Sequence, residues 1–459
     1  MIQANTHPTA PLNLDLESRI AAQLPVWQQR LQRILRQYGN TTIGQVTVAQ
    51  VYGGLRGVHA LVTEISHVDP YRGIRLRGMT VQELIDELPH PETVEFPLSG
   101  GLFFLLLTGE KPSEQEANAV ENLWRQQPTL PGYVIDLLKT MPATTHPMTL
   151  FSQSLLSMQP NSHAAKAYEA GINRRDIWKP TLQDAIQLTA VLPQLAAAIY
   201  NIKYRDGAEA NPDPDLDWSA NFAHMIGKGD DEQYKDLCRL FALIHADQEN
   251  GNASAHTAHL VNSTLSDLYY ATSAGMNALA GPLHGRANQE SLRWLKEIAA
   301  RFNGLPTREQ LKEFAQERLN SGQVIPGYGH GVLRYTDPRF TVQYDFAEKY
   351  FPDDPIFQVA KLVYEVIPGV LHATGKVKNP YPNVDAISGT LQHHFGITQR
   401  EFYTVLFGIS RLMGLSVHAV WARALGLAIE RPRSLTTDLI EEMVTPFQRP
   451  VAVNYHFFD

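Results

Sequence analysis

Residues 401–429 read EFYTVLFGISRLMGLSVHAVWARALGLAI, and this stretch decides the fold class. Phe402, Val405, Leu406, Ile409, Leu412 and Met413 recur at spacings of three and four, which lines them up as one apolar stripe of a helix. Gly414, followed by Leu415 and Ser416, predicts a break between two helices. The same period runs through LRWLKEIAARF (292–302), on Leu292, Leu295, Ile298, Ala299 and Phe302. Strand-type alternation is confined to HALVTEISHVDP (59–70), and with YRGIRLRG after it (71–78) it predicts one small hairpin. The fold class is therefore all-α apart from that hairpin.

A chain of 459 residues is too long for a single compact core and predicts two domains. Hydrophobic residues at 44% and charged residues at 19% are those of an ordinary globular protein. The net charge of −8 gives no electrostatic basis for a nucleic-acid partner. Cys238 is the single cysteine, which rules out an intramolecular disulfide and a cysteine zinc site; its setting, KDLCRLFALI, predicts a core cysteine on a helix. No run of 18 apolar residues is present, so no membrane span is expected, and TAVLPQLAAAIYNI (189–202) reads as a core helix kinked at Pro193. The first twenty residues have neither an apolar secretory core nor an Arg-rich amphipathic pattern, so a cytoplasmic protein is expected. The alternating Asp213, Asp215 and Asp217 of NPDPDLDW resemble a calcium loop, but Trp218 and His224 stand where it needs Gly and Glu. They read as a solvated loop, and no metal is expected.

Glycine and proline cluster at four joints, residues 206–218, 281–285, 325–331 and 368–382. AGPLHGRANQE (280–290) places His284 just before a helix starting near Gly285. VIPGYGHGVLRYTDPR (324–339) places His330 in a loop, with Arg334 and Arg339 downstream. KNPYPNVDAISG (378–389) places Asp385 after two prolines. Each has an ordinary structural explanation when taken singly: loop histidines are mostly surface residues, and Asp before Ala-X-Ser caps helices. Arg411 carries its own signal, because it lies among Gly408, Ile409, Leu412 and Met413 on an apolar helix. An unpaired guanidinium is costly there, so it needs either an internal carboxylate or an anionic ligand.

Taken together, these segments resemble the citrate synthase family in its long, mitochondrial-type form. The resemblance extends to YGGLRG (52–57), RGIRLRGMTVQEL (72–84), GNASAHTAHLVNSTLSD (251–267), FGISR (407–411) and ALGLAIERPRS (424–434). It implies a two-domain helical fold with a large domain of residues 1–285 and 397–459 and a small domain of 286–396. It also implies condensation of acetyl-CoA with oxaloacetate to citrate and free CoA, through an enolate and hydrolysis of citryl-CoA, without a cofactor. By the same resemblance Asp385 is the base, His284 the donor to the enolate oxygen, and His330 the group that protonates the oxaloacetate carbonyl. His245, Gln248, Arg339, Arg411 and Arg431 correspond to oxaloacetate contacts, and Arg56, Arg174, Arg334, Lys376, Lys378 and Asn383 to CoA contacts. The arginine matching Arg431 crosses into the partner subunit's site in that family, so a homodimer with shared active sites is implied. The chain departs from the pattern at Gln248, where the family's HADHE has histidine, and at Ile387, where its animal members have histidine. Two alternatives stand beside this assignment. One is a 2-methylcitrate or alkylcitrate synthase with a longer acyl group; the other is a non-catalytic paralogue that keeps the fold.

Overall fold

The structure is a computed structural model that describes residues 14–375 and 377–445. At its centre two long helices, Trp178–Tyr204 and Tyr403–Ala424, lie against each other. All 22 residues of Tyr403–Ala424 are buried, so the apolar stripe of the sequence is one side of a helix enclosed all round. Helices Ser99–Thr108, Pro147–Ser157, Glu232–His245, Ala253–Ser263 and Leu268–Leu279 surround the pair. A second group, Ala287–Arg301, Arg308–Asn320, Pro338–Tyr350, Pro355–Ala373 and Asp385–His394, packs chiefly on itself. It touches the first group through Pro338–Tyr350, which meets Glu232–His245, and through Gln289, whose side-chain amide donates to the Thr404 hydroxyl at 2.6 Å.

The expected hairpin is present, shorter than its sequence signal and extended by a third strand. Ser66–Asp69 pairs antiparallel with Gly73–Leu76, Ser66 facing Leu76, and Met79–Thr80 adds to the far edge. The Asp69 carboxylate closes the turn by accepting the amides of Tyr71 and Arg72 at 2.8 and 2.9 Å.

Gly414 does not break the helix: Tyr403–Ala424 runs through it. Its missing side chain serves a close approach instead. A Cβ there would lie 2.4 Å from the Ala246 carbonyl oxygen and 2.7 Å from Asp247 Oδ1. One turn later His418 Nε2 lies 3.0 Å from the Asp247 carboxylate, which also accepts the Ser66 hydroxyl at 2.6 Å. Burial opposes ionisation of Asp247, but His418, Arg411 and Ser66 outweigh it and hold the carboxyl below its usual range. The sheet is thus tied to the central helix through one carboxylate.

Other local expectations change for similar reasons. Pro368 and Gly369 sit inside Pro355–Ala373, so that joint opens only after the helix ends. Asp217 is no solvated loop residue: it caps Trp218–Ala223 and its carboxylate meets the buried Arg239 Nη2 at 2.6 Å. Among the described residues three helices, Trp178–Tyr204, Pro355–Ala373 and Arg400–Ala424, are long and apolar enough to cross a membrane, which the run-length criterion missed. In Arg400–Ala424 the whole apolar window lies inside protein, and in Trp178–Tyr204 most of it does. Cys238 is buried on Glu232–His245 as expected, and burial raises its thiol pKa well above the usual value.

Replacing Gly414 by Ala sets a gain of about 1 kcal/mol in helix propensity against overpacking of about 1–3 kcal/mol. The opposing atoms are backbone and a fixed carboxylate, so overpacking wins and the urea midpoint should fall. A midpoint that rises would show that residues 246–247 can retreat.

Candidate active site

His284 lies in the turn of residues 282–286, ahead of a helix that begins at Ala287. The amide that orients its ring comes from a different helix, Ala253–Ser263. Ser254 N–H points at His284 Nε2 over 3.2 Å, and the Ser254 hydroxyl oxygen lies 2.8 Å away. A backbone amide can only donate, so Nε2 is the acceptor and the ring proton sits on Nδ1. Burial first, and then the positive charge of Arg411, lower the imidazole pKa to about 4.

His330 is fixed in the opposite sense. Its Nδ1 accepts the amides of Val332 and Leu333, each at 3.0 Å, so its proton sits on Nε2. Burial, then Arg339, again lower the pKa to about 4. Both rings are therefore neutral donors at physiological pH, each with its N–H directed away from the backbone that holds it.

The Asp385 loop and the His330 loop are stitched together. Gly329 N–H donates to the Tyr381 carbonyl at 3.0 Å, and Asn383 N–H to the Gly327 carbonyl at 2.9 Å. The Asn383 side-chain amide donates to the Gly329 carbonyl at 2.9 Å, while its Oδ1 accepts the Asp385 amide at 3.0 Å. Gly327 has φ +75°, and a Cβ on it would lie 2.5 Å from Ala386 Cα, so only glycine lets the loops meet. Asp385 opens helix Asp385–His394. Burial raises its carboxyl pKa to about 6, with Arg339 and Arg411 pulling it down and Asp337 pushing it up.

The arginines divide into two kinds. Arg339 is buried and paired, Nη2 lying 2.7 Å from Asp337 Oδ2 and Nε 3.0 Å from Oδ1, while Nη1 donates to Gln248 Oε1 at 2.9 Å. Arg411 is equally buried and has no carboxylate in hydrogen-bond reach among the described residues. Its Nε donates to the His245 carbonyl at 3.1 Å and Nη1 reaches Asn252 Oδ1 at 3.5 Å, but Nη2 has no partner. Burial lowers its pKa to about 10. Of the two explanations the sequence left open for Arg411, an internal acid is absent and an anion from outside remains.

His245 is fully buried, with Nδ1 on the Phe241 carbonyl at 3.0 Å and Nε2 without a partner; burial lowers its pKa to about 3. Gln248 bridges the site. Its Oε1 holds Arg339, its amide nitrogen stands 3.4 Å from His330 Nε2, and its carbonyl accepts Asn252 Nδ2 at 2.7 Å. Both facing nitrogens carry hydrogen, so they converge as two donors with room for one shared acceptor. Ile387 is buried two residues beyond the base.

A continuous bonded path now joins the three candidates. It runs from His284 through Ser254 and Asn252 to Gln248, on to Arg339, and through Asp337 to the Val384 amide at 3.3 Å beside Asp385, with His330 Nε2 standing 3.4 Å from the Gln248 amide nitrogen. Asn252 and Asp337, the nodes of that path, were missed in the sequence. Both carried a signal: each is the N-cap of a helix, and Pro338 follows Asp337 at the first helical position.

The candidate CoA contacts are less gathered. Arg334 turns its Nη1 onto the Val332 and Leu333 carbonyls at 2.6 and 2.9 Å and so braces the His330 loop. Asn383 is spent on the stitch described above. Arg56, Arg174 and Lys378 are exposed, and Arg174 borders a small cleft with Asn262, Ser263, Arg423 and Leu427, apart from the catalytic candidates. Arg431 is exposed on the non-helical stretch 427–436, a strap that follows the central helix. Lys376 lies outside the described residues.

The profile of the citrate synthase C-terminal domain matches residues 54–433. A probable mitochondrial citrate synthase of Glossina morsitans morsitans is 48% identical over 94% of this chain and 92% of its own. Mitochondrial citrate synthase 4 of Arabidopsis thaliana is 47% identical over 94% and 90%. The citrate synthase crystal structure from Pyrobaculum aerophilum superimposes with a TM-score of 0.74 at 26% identity, covering 91% of this chain and 97% of that one. The mitochondrial names of these relatives contradict the cytoplasmic expectation, which rested only on the absence of a pattern in the first twenty residues. The match over most of the length, and the helical architecture with its small sheet, bear out the family and fold expected from the sequence: this chain belongs to the citrate synthase family.

Proposed function

We propose that this pocket condenses acetyl-CoA with oxaloacetate, giving citrate and free CoA, with Asp385, His284 and His330 as its catalytic residues. The observation that carries the assignment of roles is the pair of opposed imidazoles, each neutral and each held so that one known nitrogen donates. A methyl group next to a thioester is a very weak carbon acid, so its proton leaves only if base and oxyanion donor act together. Asp385 takes the proton, and its raised pKa makes it a stronger base than an exposed carboxylate. His284 Nδ1–H holds the enolate oxygen without transferring charge to it. The enolate carbon then attacks the oxaloacetate carbonyl carbon, and His330 Nε2–H supplies the proton that turns the new alkoxide into a hydroxyl. Water hydrolyses the thioester, releasing CoA, and the proton taken up by Asp385 replaces the one given by His330.

Arg411 Nη2 supports binding of one oxaloacetate carboxylate, and the donors of His330 and Gln248 support binding of its carbonyl oxygen. A second carboxylate needs a second free cation, because Arg339 is largely neutralised by Asp337. Arg431 has the right chemistry, and it lies exposed on a strap outside its own chain's pocket. The functional unit is therefore a homodimer in which each strap completes the partner's site. The five helices between Ala287 and His394 form the small domain, and its movement against the rest closes the pocket around both substrates.

Four measurements test this. Asp385→Ala should cut release of free CoA by about 10²–10⁴-fold and leave the melting temperature almost unchanged. Turnover of propionyl-CoA in preference to acetyl-CoA would instead establish the alkylcitrate alternative. The base must be ionised, so kcat/KM should rise with pH through a midpoint near 6. The two histidines stay neutral across that window, since theirs are about 4. An acid limb centred near 4 would remove Asp385 from the role of base. Finally, Asp385→Ala and Arg431→Ala subunits should complement each other on mixing. A random mixture contains half heterodimers, each with one intact site, so about a quarter of native activity should return. No recovery would end the shared-site assignment.

A further inference from the structure

Between Ala428 and Leu439 the chain is exposed except at one residue, Glu430. Its carboxylate lies between two imidazoles of helix Ala253–Ser263, His256 Nε2 at 3.0 Å from Oε2 and His259 Nε2 at 3.1 Å from Oε1. Its backbone N–H donates to the Ser263 hydroxyl at 3.1 Å. Positions 256, 259 and 263 follow the three-and-four spacing of one helix face, so the three contacts form a single line of attachment. Three points fix both the position and the rotation of residue 430, which two contacts on a flexible strap would not. The same helix presents Ser254 N–H to His284 and, through its cap Asn252, an oxygen to Arg411.

We propose that His256, His259 and Ser263 form a clip on Glu430, and that this clip sets the reach of the adjoining Arg431 into the partner subunit's oxaloacetate site. The inference rests on the crossing of Arg431 proposed above. Glu430 is then a positioning residue: it touches no substrate, and it acts by restricting where the guanidinium next to it can go. The carboxylate hydrogen-bonds the His256 ring through Oε2 and packs Oε1 against the His259 ring, so the side chain is held between the two rings while the backbone N–H is anchored on Ser263. Positioning of this kind matters out of proportion to its bond count, since a displacement of about 1 Å in a substrate-orienting group can change rates by about 10²-fold.

The test uses the full-length enzyme and separates KM for oxaloacetate from kcat. Glu430→Ala should raise that KM about tenfold and change kcat by less than about twofold, a split that general loss of stability would not produce. Glu430→Gln keeps an amide within reach of both rings and should recover most of the loss. His256→Ala removes only a half-exposed ring and should raise KM by about threefold. The double variant Glu430→Ala/Arg431→Ala should have the KM of Arg431→Ala alone, because the clip works only through the arginine. The clip is disproved if Arg431→Ala raises KM while Glu430→Ala and His256→Ala leave it unchanged. It is equally disproved if the double variant exceeds Arg431→Ala by the full Glu430 factor. Should Arg431→Ala itself leave KM unchanged, the crossing is wrong and the clip falls with it. If Glu430→Ala does not fold, His256→Ala and Glu430→Gln decide.

Discussion

A guanidinium taken out of water loses several kcal/mol of hydration that only well-placed acceptors restore. Arg339 and Arg411 are both enclosed, yet they meet this constraint differently. Arg339 recovers its loss internally, from Asp337 on three of its contacts and from Gln248 on a fourth. Arg411 recovers only part, from two neutral oxygens, and keeps one buried nitrogen without an acceptor. An incompletely satisfied buried cation is a binding site for an anion by default, and the rest of the pocket is arranged around it. Its charge adds to burial in keeping His284 neutral and helps hold down the pKa of Asp385. Among the described residues of the site, Arg411 is the arginine left with an unpartnered buried nitrogen.

The second constraint is the direction of backbone amides. Imidazole has two nitrogens with interchangeable roles, and solvent does not choose between them. Here a backbone N–H chooses, at Nε2 of His284 and at Nδ1 of His330. A fixed donor also penalises the imidazolium form, adding to burial. Both effects produce neutral rings that offer a hydrogen bond without first having to lose a proton. The Asp385 carboxylate lies in the same dry surroundings, which raise its affinity for a proton rather than lowering it. One environment thus tunes an acid and two donors in the directions their chemistry requires.

Close approach of backbone segments makes these arrangements possible. Gly414 admits residues 246–247 against the central helix, next to the carbonyl of His245 that holds Arg411. Gly327 admits the His330 loop against the start of the Asp385 helix. In the sequence Gly414 read as a helix break, because a glycine inside a periodic pattern more often ends a helix than marks a contact. The distinction depends on what stands opposite, and that neighbour is 168 residues away for Ala246. The N-caps Asn252 and Asp337 were legible as helix starts, but their second duty of joining the catalytic groups was not, since it depends on partners from other segments.

Periodicity in the sequence determined the helical class, the position of the small sheet and the burial of Cys238, because these follow from the local spacing of apolar residues. The order of distinctive segments also determined the family and which histidines, arginines and aspartate to inspect. Tertiary structure decided what those residues can do. Arg339 is spoken for and Arg411 is not, His284 and His330 donate from opposite nitrogens, and Asn383 and Arg334 brace loops. Arg431 stands outside its own pocket on a strap pinned at Glu430. Each of these depends on dielectric surroundings and hydrogen-bond direction set by groups distant in the chain, and such quantities have no counterpart in local sequence.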